Sequence, residues 1–290
     1  MAGGGRIVSV STVLFDGYPF ALALEEIARA GATHVEPAFI RGYVDFTEDD
    51  FSEGAARELA GSIAEAGLKV HALSAHMDLS GAEARSMLAR RIAFAEALGA
   101  RVLITNAGPE RAADTVLATI MALLPRIEAW GGMLAIENPG HGSGDLVGTA
   151  EQGRRLVERI GSPHVRLNHD AGNVFTYSHE RLQSAGDYLA AREAIGHAHL
   201  KDVKSTPEGW SFCATGSGDV DLKHYLDAIP PDLPVSLELP LRLRRPGRQD
   251  PQRATEPLPV EQLRAALEAS LAFVSSAARP RPTSARGNSA

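Results

Sequence analysis

The chain has little of what marks several large protein classes. Its 290 residues include one cysteine, Cys213. No internal disulfide framework can form, and a reducing, cytoplasmic setting is expected. Cys213 has no cysteine or histidine at zinc-finger spacing, so a structural role is expected for it. No apolar run approaches the roughly 18 residues of a membrane span. The start, "MAGGGRIVSVSTVLF", is a poor match to a signal peptide. Ser9, Ser11 and Thr12 break its apolar part, and no clean small-residue cleavage site follows. Positive charge is not in excess either: 29 Lys and Arg face 36 Asp and Glu, for a formal net charge of -7 and a pI of about 5.8. That balance argues against nucleic acid or a membrane surface as partner, while leaving room for a local basic site.

What the chain does have is 44% hydrophobic residues and a strict beat of short apolar runs and amphipathic segments. The runs are "RIVSVS" from Arg6, "THVEPAF" from Thr33, "KVHALSAH" from Lys69 and "RVLITNA" from Arg101. They continue with "MLAIEN" from Met133, "HVRLNHD" from His164, "GHAHLKD" from Gly196 and "PVSLELP" from Pro234. Helical patterns lie between them, the first three closing on Gly31, Gly67 and Gly99, where glycine takes the left-handed conformation of a helix stop. Strand–helix alternation indicates a parallel sheet, and eight units point to a closed (β/α)₈ TIM barrel in the α/β class. One catalytic domain is expected over residues 1–276, with a disordered, basic tail at 277–290. "RPGRQDPQRATEPLP" is expected to form a loop over the barrel mouth. "GSGDVD" should turn tightly into the seventh helix, with Asp221 as an N-cap.

Barrel active sites lie at the C-terminal strand ends. There the second run carries Glu36 and the third ends at His76, followed by Asp78. The fourth ends at Asn106 and the fifth at Glu137 and Asn138. The sixth ends at His169 and Asp170, with Asn173 beyond, and the eighth at Glu238. In "IGHAHLKDVK", His197, His199 and Lys201 share one strand face. A lone carboxylate at a strand end commonly caps the next helix, and a lone strand histidine is commonly a hydrogen-bonded core residue. Four consecutive strands ending in oxygen or imidazole groups are a different matter. Three buried carboxylates repel one another unless a cation joins them. We take Glu137, Asp170, His199 and Glu238 as ligands of one divalent metal ion. Such an oxygen-rich set suits Mn²⁺ first, with Mg²⁺, Co²⁺ or Zn²⁺ as alternatives. His199 is chosen because it lies nearer the strand's end; alternation alone leaves His197 as the alternative, a layer deeper. His76 and Lys201 are expected to touch substrate, unless Lys201 is spent on an ion pair with Asp202 or Glu238. Glu36 is placed with the substrate contacts, or as a group that orients His76 or another polar side chain. Arg242, with Arg244 and Arg245 in "ELPLRLRRPGR", could bind an anionic substituent or form a solvated basic loop.

The segments "AIENPG", "LNHDAGN", "HAHLKDV", "GSGDVDL" and "SLELP" resemble the sugar phosphate isomerase/epimerase group of the xylose isomerase-like TIM barrels, from first strand to last helix. The resemblance implies a metal on Glu137, Asp170, His199 and Glu238, favours His199 over His197, and gives Glu137 and Glu238 acid/base roles on opposite faces of a keto sugar. A metal-dependent isomerase or epimerase working through an enediolate is therefore expected, on a small-molecule sugar or sugar-acid substrate. The alternative is a lyase, a dehydratase or decarboxylase of a keto sugar acid or cyclic polyol ketone, with His141 as a candidate acid or base. A non-catalytic sugar-binding barrel is a third reading. Apurinic endonucleases of the same barrel need more histidines; Asn106 and Asn173 stand where those would fall. "LKDVKS" replaces the Glu-x-x-Arg segment that ketose epimerases carry after the metal histidine. Assembly into a homo-oligomer is left open.

Overall fold

The structure, a computed structural model, describes residues 5–277. The tail expected to be disordered lies, from residue 278 on, outside the described residues. Eight strand segments form a ring. The first is Val8–Ser11, and the second is split by Pro37 into His34–Glu36 and Ala38–Phe39. The third is split at His71 into Lys69–Val70 and Ala72–Ala75. Then come Val102–Asn106, Met133–Glu137, Val165–Asp170, Ile195–Leu200 and Val235–Leu237. Proline cannot donate to a strand ladder, which accounts for the first break. The two halves of the second strand pair in parallel with the two halves of the third. Each later strand pairs with the next, and the eighth pairs with both the seventh and the first. The expected closed barrel is therefore the architecture seen.

Helices wrap the ring, each with a local cause. Ala150–Ile160 begins at Thr149, whose hydroxyl accepts from the Gln152 N–H at 3.3 Å while Gln152 Oε1 accepts from the Thr149 N–H at 3.0 Å. This reciprocal box satisfies two otherwise orphaned donors. The helix stops at Gly161, with φ 72°, a left-handed conformation that glycine adopts without steric cost. Leu156 and Ile160 face the barrel, and the intervening Arg and Glu residues face water. Each fully buried aliphatic side chain of this kind contributes roughly 1.5–3 kcal/mol.

The mouth departs from expectation. Asp202–Thr206, Gly209–Cys213, Leu243–Pro246 and Gln252–Arg253 form a separate antiparallel four-stranded sheet. The proline-rich segment after the eighth strand thus supplies strands, and "GWSFC" is a hairpin arm. Asp202 fixes this region: its carboxylate accepts from the backbone N–H groups of Val203, Gly216, Gly218 and Val220 at 2.8–3.3 Å. Asp221 caps the helix Leu222–Ala228 through the His224 N–H at 3.0 Å, as the sequence leads one to expect.

Candidate metal centre

"LNHDAGN" shows how local structure builds the site. Asp170 ends the sixth strand. Its Oδ1 accepts from the Asn173 N–H at 2.8 Å and caps the short helix Ala171–Tyr177. The helix leaves Oδ2 turned inward. Capping and site-building, which compete as explanations of a strand-end carboxylate, are here shared between its two oxygens. Gly172 is required by Lys201: a Cβ there would lie 2.6 Å from the Lys201 carbonyl oxygen and 2.8 Å from its Cβ. Asn138 clamps the fifth strand to the sixth, accepting from the Asp170 N–H at 2.9 Å and donating to its carbonyl at 3.1 Å.

Glu137, Asp170, His199 and Glu238 each place a ligand atom within 4.8 Å of the others, and all four are buried. His199 Nδ1 lies 3.2 Å from Glu137 Oε2, 3.1 Å from Glu238 Oε2 and 3.8 Å from Asp170 Oδ2. Lys201 Nζ stands 2.8 Å from both Asp170 Oδ2 and Glu238 Oε2. Even so, Asp170 Oδ2, His199 Nδ1 and both Glu238 oxygens make no hydrogen bond. Buried polar atoms are rarely left in that state, and four of them converge here. Three carboxylates face one ammonium, so two negative charges remain uncompensated. The donor set, carboxylate oxygens with one imidazole, fits a divalent cation.

The electrostatics agree. Burial alone would lower the His199 pKa, but Glu36 and Glu137 beside it hold it well above the ordinary histidine value. Without a cation, a proton on His199 takes the cation's place; metal binding must expel it. Burial would likewise lower Lys201, and the Asp170 and Glu238 charges instead raise it well above the usual lysine value. Glu238 is brought down to about 2: burial opposes this, and Lys201 and His199 prevail. Glu137 is held below the usual carboxylate range against burial by His199 and His76. Both glutamates are therefore ionised across the neutral range.

Glu137, Glu238, Lys201, Asn173 and His76 form part of the lining of a cavity of about 710 Å³ at the mouth. Its walls come from the loops after the second to fifth strands, including Arg41, Tyr43, Phe46, Arg111 and His141. His76 Nε2, 3.4 Å from Glu137 Oε2, has no hydrogen-bond partner. Lys201 pairs with Glu238 and Asp170 rather than Asp202, whose carboxylate is taken up by backbone N–H groups. His197 lies a layer deeper than His199, as alternation allows, and accepts or donates only to Asn168 and Ser236.

Two expected substrate contacts are placed elsewhere. Glu36, fully buried, does not line the cavity; it packs beneath His199, bound to Ser74 and Ser236. The second strand continues past Glu36 through Ala38–Phe39, so the Glu36 carboxylate lies below the ligand layer. Arg242 also misses the cavity. It binds Asp16 at 3.2 Å and the Ala254 carbonyl at 2.8 Å, tying the mouth sheet to the first strand's end. Arg245 is buried against Trp210 and donates to the Gly140 carbonyl. Tyr43 lines the cavity. Its phenol is pushed up to about 12 by burial, Lys201 opposing this and Glu238 adding to it, so it stays a neutral donor. Nothing in a loop sequence such as "RGYVDF" marks it out. Asn168, Ser74 and Ser236 each precede a strand-end site residue by two positions and so share its face.

A closed barrel with a buried carboxylate–imidazole cluster at the C-terminal strand ends defines a (β/α)₈ barrel with a candidate metal centre. The chain belongs to the xylose isomerase-like TIM barrel family, whose profile matches residues 24–268. No protein of curated function matches it by sequence. Among solved structures, D-psicose 3-epimerase with D-tagatose from Clostridium cellulolyticum H10 is similar at a TM-score of 0.73 and 13% identity, over 95% of this chain and 100% of that one. The probable 3-DHS dehydratase AsbF from Bacillus anthracis is similar at a TM-score of 0.66 and 12% identity, over 93% and 98%. The IOLI protein with a bound zinc atom is similar at 0.68 and 16%, over 94% and 98%. At these identities the likeness establishes the fold. No helix among the described residues is long and apolar enough to cross a membrane.

Proposed function

We propose that the chain is a divalent-metal-dependent isomerase or epimerase of a keto sugar or sugar derivative, moving a proton next to a carbonyl through an enediolate. The observation that carries this is the pair Glu137 and Glu238. They stand at the two ends of a four-strand arc, both line the cavity, and both meet at His199. Glu137, Asp170, His199 and Glu238 would hold the ion; Mn²⁺ fits the oxygen-rich set best, with Mg²⁺, Co²⁺ and Zn²⁺ as the alternatives. When bound, it supplies polarisation of a carbonyl and its neighbouring hydroxyl, acidifying the adjacent C–H.

The chain's own groups do the rest. A carboxylate with a pKa near 2 is a weak base, so Glu238 removes a proton only from an acidified carbon. Glu238 can return the proton it has taken to the neighbouring carbon. For inversion Glu137, itself ionised, returns a proton from the other end of the arc after taking one from water in the cavity it lines. Lys201 and Tyr43 donate to substrate oxygens, and His76 Nε2 is free to bind another. Arg41 and Arg111 line the cavity and form no ion pair among the described residues, so they, rather than Arg242, supply a cationic wall for a phosphate or carboxylate substituent. The sugar epimerases of the same fold support this substrate class.

A second reading has its own observation. His141 lines the cavity rim, and desolvation by the walls, then the Arg245 charge, hold its pKa below the ordinary value. A neutral imidazole there suits a lyase that expels a β-leaving group, in line with the dehydratase of the same fold. Incubation in D₂O with added metal and a panel of keto sugars, keto-sugar acids and their phosphates decides between them. Deuterium gain without mass loss supports the isomerase. Loss of water supports the lyase. Absence of exchange and of product across the panel, with demonstrated metal binding, refutes both.

A further inference from the structure

We propose that Glu36 is the positioning residue of the metal centre: it takes the Nε2 N–H of His199 and so turns Nδ1 to the three carboxylates, as the nitrogen left for the ion. The proposal rests on the reading of that cluster as a divalent-metal site.

Glu36 is a fourth buried carboxylate, beneath three others, with no route to the cavity. Burial of such a charge is strongly unfavourable unless donors surround it. Three do. Ser74 Oγ donates to Oε1 at 2.9 Å and Ser236 Oγ to Oε2 at 2.5 Å, while His199 Nε2 lies 3.1 Å from Oε1 and 3.2 Å from Oε2. An ionised carboxylate only accepts. His199 Nε2 must therefore carry a proton. Its Nδ1 has no hydrogen bond and points at Glu137, Glu238 and Asp170. A carboxylate behind a ligand imidazole fixes both its orientation and its tautomer, and strengthens the nitrogen that faces the ion.

Glu36 also belongs to a closed ring of contacts under the centre. From Ser236 the ring passes to His197 Nε2 at 3.3 Å, and from His197 Nδ1 to Asn168 Oδ1 at 2.8 Å. Asn168 Nδ2 donates to Glu137 Oε2 at 2.7 Å, and Glu137 Oε2 returns to His199 Nδ1 at 3.2 Å. Two proposed ligands, from the fifth and seventh strands, are thus held from below through groups on the second, sixth, seventh and eighth. Glu36 is the member of this ring that sets the proton on His199.

The test is Zn²⁺ affinity of the full chain, measured by chelator competition, for the wild type, Glu36→Gln and Glu36→Leu. About 10-fold weakening is expected for Glu36→Gln, whose amide oxygen still accepts but carries no charge, and about 100-fold for Glu36→Leu. Nitrogen NMR of the zinc-loaded wild type should show His199 bound through Nδ1. Thermal unfolding of the metal-free variants separates a merely structural role, which lowers the melting temperature and leaves the affinity of the folded protein alone. That result, or zinc on Nε2, overturns the proposal. If Glu36→Leu does not fold, Glu36→Gln decides. A wild type that binds no divalent ion removes the metal reading and this proposal with it; zinc bound equally well by wild type and Glu36→Gln removes the proposal alone.

Discussion

The two sides of the centre are built differently. On the fifth-strand side, Glu137 is pinned: Asn173 Nδ2 donates to Oε1 at 3.1 Å, and Asn168 Nδ2 to Oε2 at 2.7 Å. On the eighth-strand side, neither oxygen of Glu238 makes a hydrogen bond; the Lys201 ammonium at 2.8 Å and His199 Nδ1 at 3.1 Å stand against Oε2 as charges. Pinned carboxylates keep their geometry, whereas a carboxylate held only by a charge can rotate and exchange a proton without breaking hydrogen bonds. The difference assigns proton removal to Glu238 and a more rigid duty to Glu137. Replacing Glu238 by Gln should therefore have the largest effect. Deuterium incorporation into the keto sugar that the wild type turns over should fall by about 10²–10⁴-fold, with the circular dichroism of the barrel unchanged. Full exchange in that variant would erase the distinction between the two sides.

Lys201 is the next point at which the comparison can be broken. It is fully buried, and it is the ammonium shared by Asp170 and Glu238. Removing one member of a buried ion pair leaves an uncompensated charge, at a cost of about 3–5 kcal/mol. Lys201→Met should lower the metal-free melting temperature sharply, and added Zn²⁺ or Mn²⁺ should restore more stability than it gives the wild type. Equal metal-induced gains in both proteins would mean that Lys201 does not stand in for charge at the eighth-strand side. The fifth-strand counterpart is milder. Asn173→Ala removes one donor from Glu137 and an acceptor, 3.1 Å away, from Lys201. Hydrogen bonds to charged groups contribute about 1.5–3 kcal/mol, so metal affinity should weaken by about tenfold or more in the same chelator assay. An unchanged affinity would show that the pinning of Glu137 is incidental.

Much of this was legible in the sequence, for reasons that lie in period and charge. The barrel could be read because eight apolar runs alternate with amphipathic segments, a pattern fixed by local burial. The cluster Glu137, Asp170, His199 and Glu238 could be read because strand ends share one rim, whatever the loops do. The layer below was legible too, but only by stepping back two residues from each rim group: Asp170 to Asn168, His199 to His197, Glu238 to Ser236 and His76 to Ser74. Alternation suggested that step for His197 but does not say which deeper group faces which. Glu36 shows the limit. Its height in the ring depends on strand stagger, with Ser11 opposite it on the first strand, and no single strand encodes its neighbour's offset. Arg242 and the mouth sheet fail for a related reason. Whether arginines beyond the last strand meet a ligand or Asp16 is decided by long-range pairing of Leu243–Pro246 with Gly209–Cys213, to which local pattern is blind.

The smallest effect concerns the support of the fifth-strand side. His197, fully buried and hydrogen-bonded to Asn168, has its pKa lowered to about 3, chiefly by burial. In the unfolded chain it returns to an ordinary value near 6.5. Between those values the unfolded state binds a proton that the folded state refuses, so stability rises with pH there and is lost as pH falls below about 6.5. One such proton gives a slope of about 1.4 kcal/mol per pH unit. His199 has the opposite sign, since its folded pKa is raised: its contribution is complete below the unfolded value and fades as pH climbs toward the folded one. The two act in separate windows of the metal-free wild type, His197 below about 6.5 and His199 above it. His197→Gln removes only the first, so denaturant unfolding in chelator between pH 6 and pH 5 should show the variant losing less stability than the wild type, by about 1 kcal/mol. Parallel curves would mean that His197 takes up a proton in the folded barrel, and that the Asn168 contact holding Glu137 does not depend on a neutral imidazole beneath it.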